Sequence, residues 1–484
     1  MAQYGMPTLS PLARRAKDRR SSTPGIPSPA VAHTNKKHAL AGTAVPPKST
    51  GLPPTTIATP PNADHNAITK DAAHTAISNL APSVEAPESD ADGVVVIEEH
   101  GDLVLHMEHR TSSATLAKRY RVSTVTLKTR SRYFLSLLDG RFGESAKIDK
   151  QHAVLRQQYV HLSKAPSSEL PSVHIEDIGR ISAVKSIDAL CTDFLLILHG
   201  KDTVASLPVA NLANLAILAD RFDALETVRE HAMRKKLMRA IDGKTTTKAE
   251  LGLTEERMRQ RLLVGILLDH AQWMDRYSAR LIMKGWVGKE AEESDAMWWS
   301  LPQRLEEELL SRREYILDML QSSIAQFVAL YTSRERQCRL GYDSSAACDS
   351  FQLGEMIRFL SRTGILQVKG MLFDAADPPE PYEGDIMVLI EALRQVPEYQ
   401  IDRNHSHCGI RGRLIAMLNM VTDALHHVGI CAECWTASRH EHSWIDAKRP
   451  LLWHSQTYRS RGLGHKEMHA QVRSMFMATE RDWR

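Results

Sequence analysis

The order of apolar and polar residues changes character along the 484-residue chain. Residues 1–91 show neither a helical nor a strand period. Short β-rich runs follow at Val94–Ile97 and Asp102–Leu105, broken at Gly101, and Tyr120–Val125 alternates in part, as a half-buried strand does. Between Leu127 and Leu138 the period lengthens, and Leu127, Phe134, Leu137 and Leu138 fit one helical face. Val173–Ile175 predicts a short strand. Ile187–Leu198 and Leu207–Leu225 predict helices, the second with Leu212, Leu215, Leu218 and Phe222 on its apolar side. From about residue 241 the pattern is nearly all helical. Leu305–Tyr331 repeats apolar residues at three- and four-residue steps, with Glu306, Glu307, Arg312, Arg313 and Glu314 on the opposite face. Arg411–Val428 predicts one helix, with Gly429 as its C-cap. The chain shows no internal repeat and no sustained heptads.

These patterns divide the chain into an N-terminal tail (1–91), an α+β region (92–240) and a mostly α-helical C-terminal region (241–484). The tail holds more than half of the 22 prolines and almost no aromatic residues. Such a segment buries too little apolar surface to offset its ordering entropy, so disorder is expected there. It carries a basic cluster, Arg14, Arg15, Lys17, Arg19 and Arg20, then Lys36 and Lys37. That cluster reads either as a nuclear-import signal or as a solvated basic patch.

Charge and cysteine usage narrow the setting. The net charge of +3 gives no chain-wide basic field of the kind that binds nucleic acid. Six cysteines in a chain this long do not make a disulfide framework, and Cys191, inside Leu190–Leu198, reads as a buried thiol. The longest apolar run, Leu262–Leu268, falls far short of the roughly 18–20 residues that span a bilayer. The N-terminus lacks the apolar core of a secretory signal. The expected compartment is therefore the cytoplasm or nucleus, with no membrane span.

Several short motifs then fall in a telling order. Gly101-Asp102-Leu103-Val104-Leu105 is followed by Tyr120-Arg121-Val122-Ser123 and Leu127. Next come Ser131-Arg132-Tyr133-Phe134-Leu135-Ser136-Leu137-Leu138 and the exit Phe142-Gly143-Glu144-Ser145. A short strand (173–178), a helix ending at His199-Gly200, and Ala219-Asp220-Arg221-Phe222 complete the set. In order and spacing this resembles the BTB/POZ domain, with Asp102, Ser131, Tyr133, Phe134, Phe142, Ala219 and Asp220 at the motif positions. Residues 146–170 depart from the pattern as an insertion, which could lie over a surface other BTB domains use for partners. The C-terminal region resembles the helical extension of filamentous-fungal BTB proteins, through Tyr331-Thr332-Ser333-Arg334, Gln337-Cys338 and Asp349-Ser350-Phe351-Gln352-Leu353-Gly354-Glu355. The resemblance implies a non-enzymatic adaptor or scaffold. Its expected associations are a homodimer or a heteromeric complex with protein partners, among them cullin-type ubiquitin ligases.

The chain carries no phosphate loop, dinucleotide fingerprint, nucleophile elbow or His-Glu-x-x-His, which argues against an enzyme. The metal-like pattern is C-terminal. Cys431-x-x-Cys434 has the bite for one zinc, and His440 and His442, or His454 in place of one of them, are the expected remaining ligands of a structural site. Cys408 is set apart from these, because a helix over 411–428 would span about 27 Å. Buried thiols are the competing reading. Cys338 and Cys348 flank Gly341–Ser345 and read as packing a turn. An alternative function follows from the zinc pattern and from Arg411, Arg413, Arg439, Lys448, Arg449, Arg459 and Arg461: a nuclear transcription-associated regulator with a small C-terminal zinc module. No recognition-helix spacing accompanies those basic residues.

Overall fold

Strand pairing begins in the first β-rich run, at Val95. The computed structural model describes residues 87–110, 115–140, 143–203, 207–288, 296–366 and 381–483. The expected tail, apart from 87–91, lies outside these residues, as do Phe142 and the basic cluster. The described residues belong to a unit spanning 79–484. Strands β1 (Val95–Val96), β2 (Leu103–Arg110), β3 (Thr115–Val122) and β4 (Ser172–Ile175) form one sheet in the order β1-β3-β2-β4. β2 and β3 are an antiparallel hairpin with Leu105 opposite Tyr120, while β4 runs parallel to β2 with Val173 beside Leu105. The side-chain period of two divides β2 cleanly. Leu103, Leu105 and Met107 enter the main core with Tyr120 and Val122, whereas Val104 faces the other way.

The helices of the first region are α1 (Thr124–Arg130), α2 (Arg132–Leu138), α3 (Gly143–Gln158), α4 (Ile187–Leu198), α5 (Val209–Arg221) and α6 (Leu225–Arg234). The single helical face expected over Leu127–Leu138 is two helices. Ser131 is extended between them (φ −143°, ψ 123°), and its hydroxyl accepts from the Phe134 amide to cap α2. The run Leu207–Leu225 likewise breaks, at Asp223 with φ +44°. The insertion supplies α3 and a 3₁₀ turn, Leu162–Lys164. Leu155, Ala165 and Leu170 pack on Val94 and Val104, so the insertion covers the sheet face turned away from the main core.

The C-terminal region continues with α7 (Leu237–Gly243), α8 (Thr247–Leu251), α9 (Glu255–Leu267), α10 (Ala271–Lys284) and α11 (Leu305–Thr332). After these come α12 (Ser345–Arg362), α13 (Ile386–Arg394), α14 (Arg411–Leu425), α15 (Ala432–Ala437), α16 (Arg439–His442) and α17 (His465–Met477). A small parallel pair, β5 (Leu452–His454) and β6 (Glu480–Asp482), was not expected from the pattern. α9 packs on both α5 and α10, so the two regions share one hydrophobic core. Among the described residues, no helix is long and apolar enough to cross a membrane.

The long helix α11 corrects a simple amphipathic reading. Leu309, Ile316, Leu320 and Phe327 are buried as expected, but so are Glu308, Arg312 and Arg313 on the polar side. Arg312 bonds Glu308 at 2.8 Å and donates to the carbonyls of Val428 (2.8 Å) and Gly429 (2.9 Å). Glu308 accepts from the Ser443 hydroxyl (2.7 Å) and the Trp444 amide (2.9 Å). Gly429 is not in the left-handed region. Its role is close approach, since a Cβ there would collide with Asp275.

Two substitutions test this packing. Phe134→Ala should cost about 3–5 kcal/mol in urea unfolding, because it empties a fully buried aromatic site. Glu308→Ala should cost a similar amount, about 3–5 kcal/mol, by leaving a buried guanidinium without its counter-charge. A loss below about 1 kcal/mol from either variant would contradict the packing described.

Candidate functional sites

The motif residues that are far apart in sequence meet around Phe222. The Ser131 hydroxyl donates to the Phe222 carbonyl at 2.6 Å. Phe134 stacks on Phe222 with centroids 5.3 Å apart, Tyr133 meets both rings edge-on, and Phe194 of α4 stacks from the other side at 5.5 Å. Ala219 is fully buried, while Asp220 is exposed at the end of α5. Asp102 stands just before β2, at the open end of the hairpin. One carboxylate oxygen accepts from the Thr124 amide (2.7 Å) and hydroxyl (2.8 Å), fixing the start of α1. His199 closes the same corner: its Nε2 accepts from the Ser123 amide at 3.1 Å and its Nδ1 donates to the Leu195 carbonyl at 2.8 Å. Burial, first among its surroundings, holds this imidazole below its ordinary range and so neutral. The site joins hairpin, helix pair and distal helices.

The second site is the C-terminal Cys/His cluster. Cys431 is the N-cap of α15 and Cys434 lies in its first turn, so the two thiols project from one helix start. The histidines beside them come from α17. His465 and His469 are four residues apart, hence on one face. Donor atoms of Cys431, Cys434, His465 and His469 all lie within 4.8 Å of one another. Cys431 Sγ is 3.1 Å from His465 Nε2, which is 3.0 Å from His469 Nε2. Two thiols and two imidazoles at these separations have the donor set and the size of a structural zinc site.

The electrostatics suit a metal that takes neutral imidazole and thiolate. Burial brings His469 down to about 4 and pushes Cys434 up to about 11. The histidine therefore arrives deprotonated, whereas the thiol must release its proton on binding, which makes affinity fall as pH falls. A cleft of about 470 Å³ opens beside the site, bordered by Cys434, His442, Lys466, His469 and Arg473.

His440 and His442, expected as ligands, are not in this group. His440 points outward, 3.8 Å from Glu441. His442 is buried, with its ring 4.9 Å from that of His469, and burial first, then Arg312, lower its pKa to about 2. Its Nε2 finds no hydrogen-bond partner among the described residues. His454 lies in β5, 3.5 Å from Asp482. The signal for the actual pair is the His-x-x-x-His spacing at the start of α17, 31 residues beyond Cys434, which places two imidazoles on one helical face. Cys408 is separate, as expected, with α14 unbroken between it and Cys431.

In comparisons with known proteins, no family model matches the chain, and no curated protein or solved structure matches it.

Elemental analysis of protein purified without chelator checks the ligand set. Cys431→Ser with Cys434→Ser, and separately His465→Ala with His469→Ala, should each remove one zinc equivalent. His440→Ala should retain it. Full zinc in the His465/His469 variant would place the ligands elsewhere.

Proposed function

We propose that this chain is a non-enzymatic protein-interaction scaffold that associates through its BTB/POZ-like region, 92–240. The observation that carries this reading is the convergence of Ser131, Tyr133, Phe134 and Phe222 into one buried cluster. The hairpin β2–β3, the parallel strand β4 and the helix pair α1–α2 follow one another in the order that the BTB resemblance leads one to expect. The association surface is the α1–α2 face. The insertion occupies the outer sheet face, while Val125 (72% exposed) and Leu135 (42% exposed) remain open on α1 and α2. Exposed apolar residues on adjacent helices are the feature a partner would cover. A homodimer is the proposed state, and a cullin-type ubiquitin ligase is the heteromeric partner class that the resemblance suggests. The cytoplasm or nucleus is the proposed setting.

The Cys/His cluster favours the alternative of a nuclear regulator with a zinc module. Of the basic residues it would need, Arg411, Arg413, Arg439 and Arg449 are engaged within the fold. Arg413 bonds the Tyr331 hydroxyl, Arg439 covers the Trp435 ring and donates to the Gln303 carbonyl, and Arg449 donates to the Met477 carbonyl. The scaffold reading is preferred for that reason.

Light scattering on the whole chain at several concentrations tests the proposal. The mass should rise to twice that of the monomer, and Val125→Asp with Leu135→Asp should shift it back while leaving the melting temperature within about 2 °C, as expected for exposed positions. A monomer at every concentration that also captures no protein from an extract would overturn the reading.

A further inference from the structure

A second Cys/His cluster lies at the other end of α14. It joins Cys338, from the segment between α11 and α12, Cys348, in the first turn of α12, and His405 and Cys408, from the turn before α14. Read along the sequence, Cys338 and Cys348 pack a turn. Their surroundings do not fit that reading. A buried packing thiol such as Cys191 belongs to the hydrophobic core, but Cys338 and Cys348 belong to neither apolar cluster, although each is at most 2% exposed. From 332 to 344 the chain runs along the surface, and Cys338 is the one residue of that stretch that is buried. What it meets there is polar: the Ser345 hydroxyl at 3.4 Å, His405 Nδ1 at 3.4 Å and Cys408 Sγ at 3.8 Å.

We propose that Cys338, Cys348, His405 and Cys408 form a structural Cys₃His zinc site, independent of the C-terminal cluster. The separations are those of a coordination tetrahedron. With zinc about 2.3 Å from sulfur and about 2.0–2.1 Å from nitrogen, tetrahedral edges are about 3.8 Å for S···S and about 3.5 Å for S···N. The Cys338–Cys408 pair stands at 3.8 Å, and His405 Nδ1 lies 3.4 Å and 3.8 Å from their sulfurs. All four donors lie within 4.8 Å of one another. The ring of His405 is already oriented for this role. Its Nε2 bonds the Ser344 hydroxyl at 2.8 Å, which leaves Nδ1 turned to the thiols.

The scaffold around the donors is equally specific. Asp349 accepts from the amides of Gln337 (2.9 Å) and Cys338 (2.8 Å), fastening the first ligand to α12. Asp402 accepts from the Asn404 and His405 amides, and the Tyr331 hydroxyl donates to the Cys408 carbonyl at 2.8 Å. Four protein ligands leave no open position, so the ion is structural: it cross-links the segment before α12, the first turn of α12 and the turn before α14. Three thiols release their protons on binding, and no electron transfer is involved.

Zinc content of the full chain, purified reduced and without chelator, is the test. In the Cys431→Ser, Cys434→Ser background one equivalent should remain, and adding Cys348→Ser with Cys408→Ser should remove it. Unchanged zinc after that addition would overturn the proposal, as would no zinc in the parental background. A second measurement needs no variant: alkylation of the wild-type chain, stripped of metal and then supplied with zinc or not, mapped by mass spectrometry. Cys338, Cys348 and Cys408 should become protected with zinc, whereas equal modification of all three in both samples would overturn the site.

Discussion

The fold of the C-terminal region depends on one buried ion pair. Arg312 and Glu308 lie one turn apart on α11, both essentially inaccessible. Burying two charges is costly unless nearly every donor and acceptor is matched. The matching groups come from far along the chain: the carbonyls of Val428 and Gly429 for Arg312, and the Ser443 hydroxyl and Trp444 amide for Glu308. Trp444 then lies under the guanidinium, 5.1 Å from its ring centre, and stacks on Phe476 of α17. The chain is therefore pinned just before Cys431 and just after His442, and the face of α17 is set by the same tryptophan. The geometry of the C-terminal Cys/His cluster follows from those fixed points. Arg313, one residue on, does the same for the carbonyls of Ile282, Tyr382 and Gly384.

A different device organises the first region. Its centre is aromatic, with Phe222 between Phe134 and Phe194. The backbone carbonyl of Phe222 is bound by Ser131, so the ring stack and the break between α1 and α2 hold one another in place. Because α5, which leads into Phe222, also packs on α9, the two regions share a core rather than a linker.

Part of this was legible in the sequence where burial follows a single period. The β-rich run at Asp102–Leu105 located the start of β2, the partial alternation at Tyr120–Val125 caught only the end of β3 before α1 begins at Thr124, and three- and four-residue steps located α4, α11 and α14. What periodicity misses is polar burial. Arg312 read as part of a solvated face because the carbonyls it binds lie over a hundred residues away. Ser131 sits inside an apolar period yet ends one helix and starts another, since a hydroxyl that caps a helix competes with continuing it. Cys431-x-x-Cys434 was legible because both thiols are local. Its histidines were not found among the nearest candidates, His440 and His442, because a helix returning from the small β5 turn brings His465 and His469 there instead. Gly429 was seen as important, but for a conformation it does not adopt; its constraint is the neighbouring helix α10.

With zinc bound as proposed, the two Cys/His clusters would also help such short elements persist. α15 has six residues and α16 four, far below the length at which a helix holds itself in water. α15 puts Ala432 and Trp435 into the hydrophobic core, whereas α16 adds no apolar side chain to it. Both are also held by the bonds that Arg312 and Glu308 make to the flanking chain, and a zinc ion on the proposed ligands from α15 and α17 would add a second fastening. The surface segment around Cys338 is in the same position, with one buried residue and no regular structure of its own. α14, fifteen residues or about 22 Å long, separates the two clusters, so one ion cannot serve both. With zinc bound as proposed, each cluster would add a local fastening to its own stretch of chain.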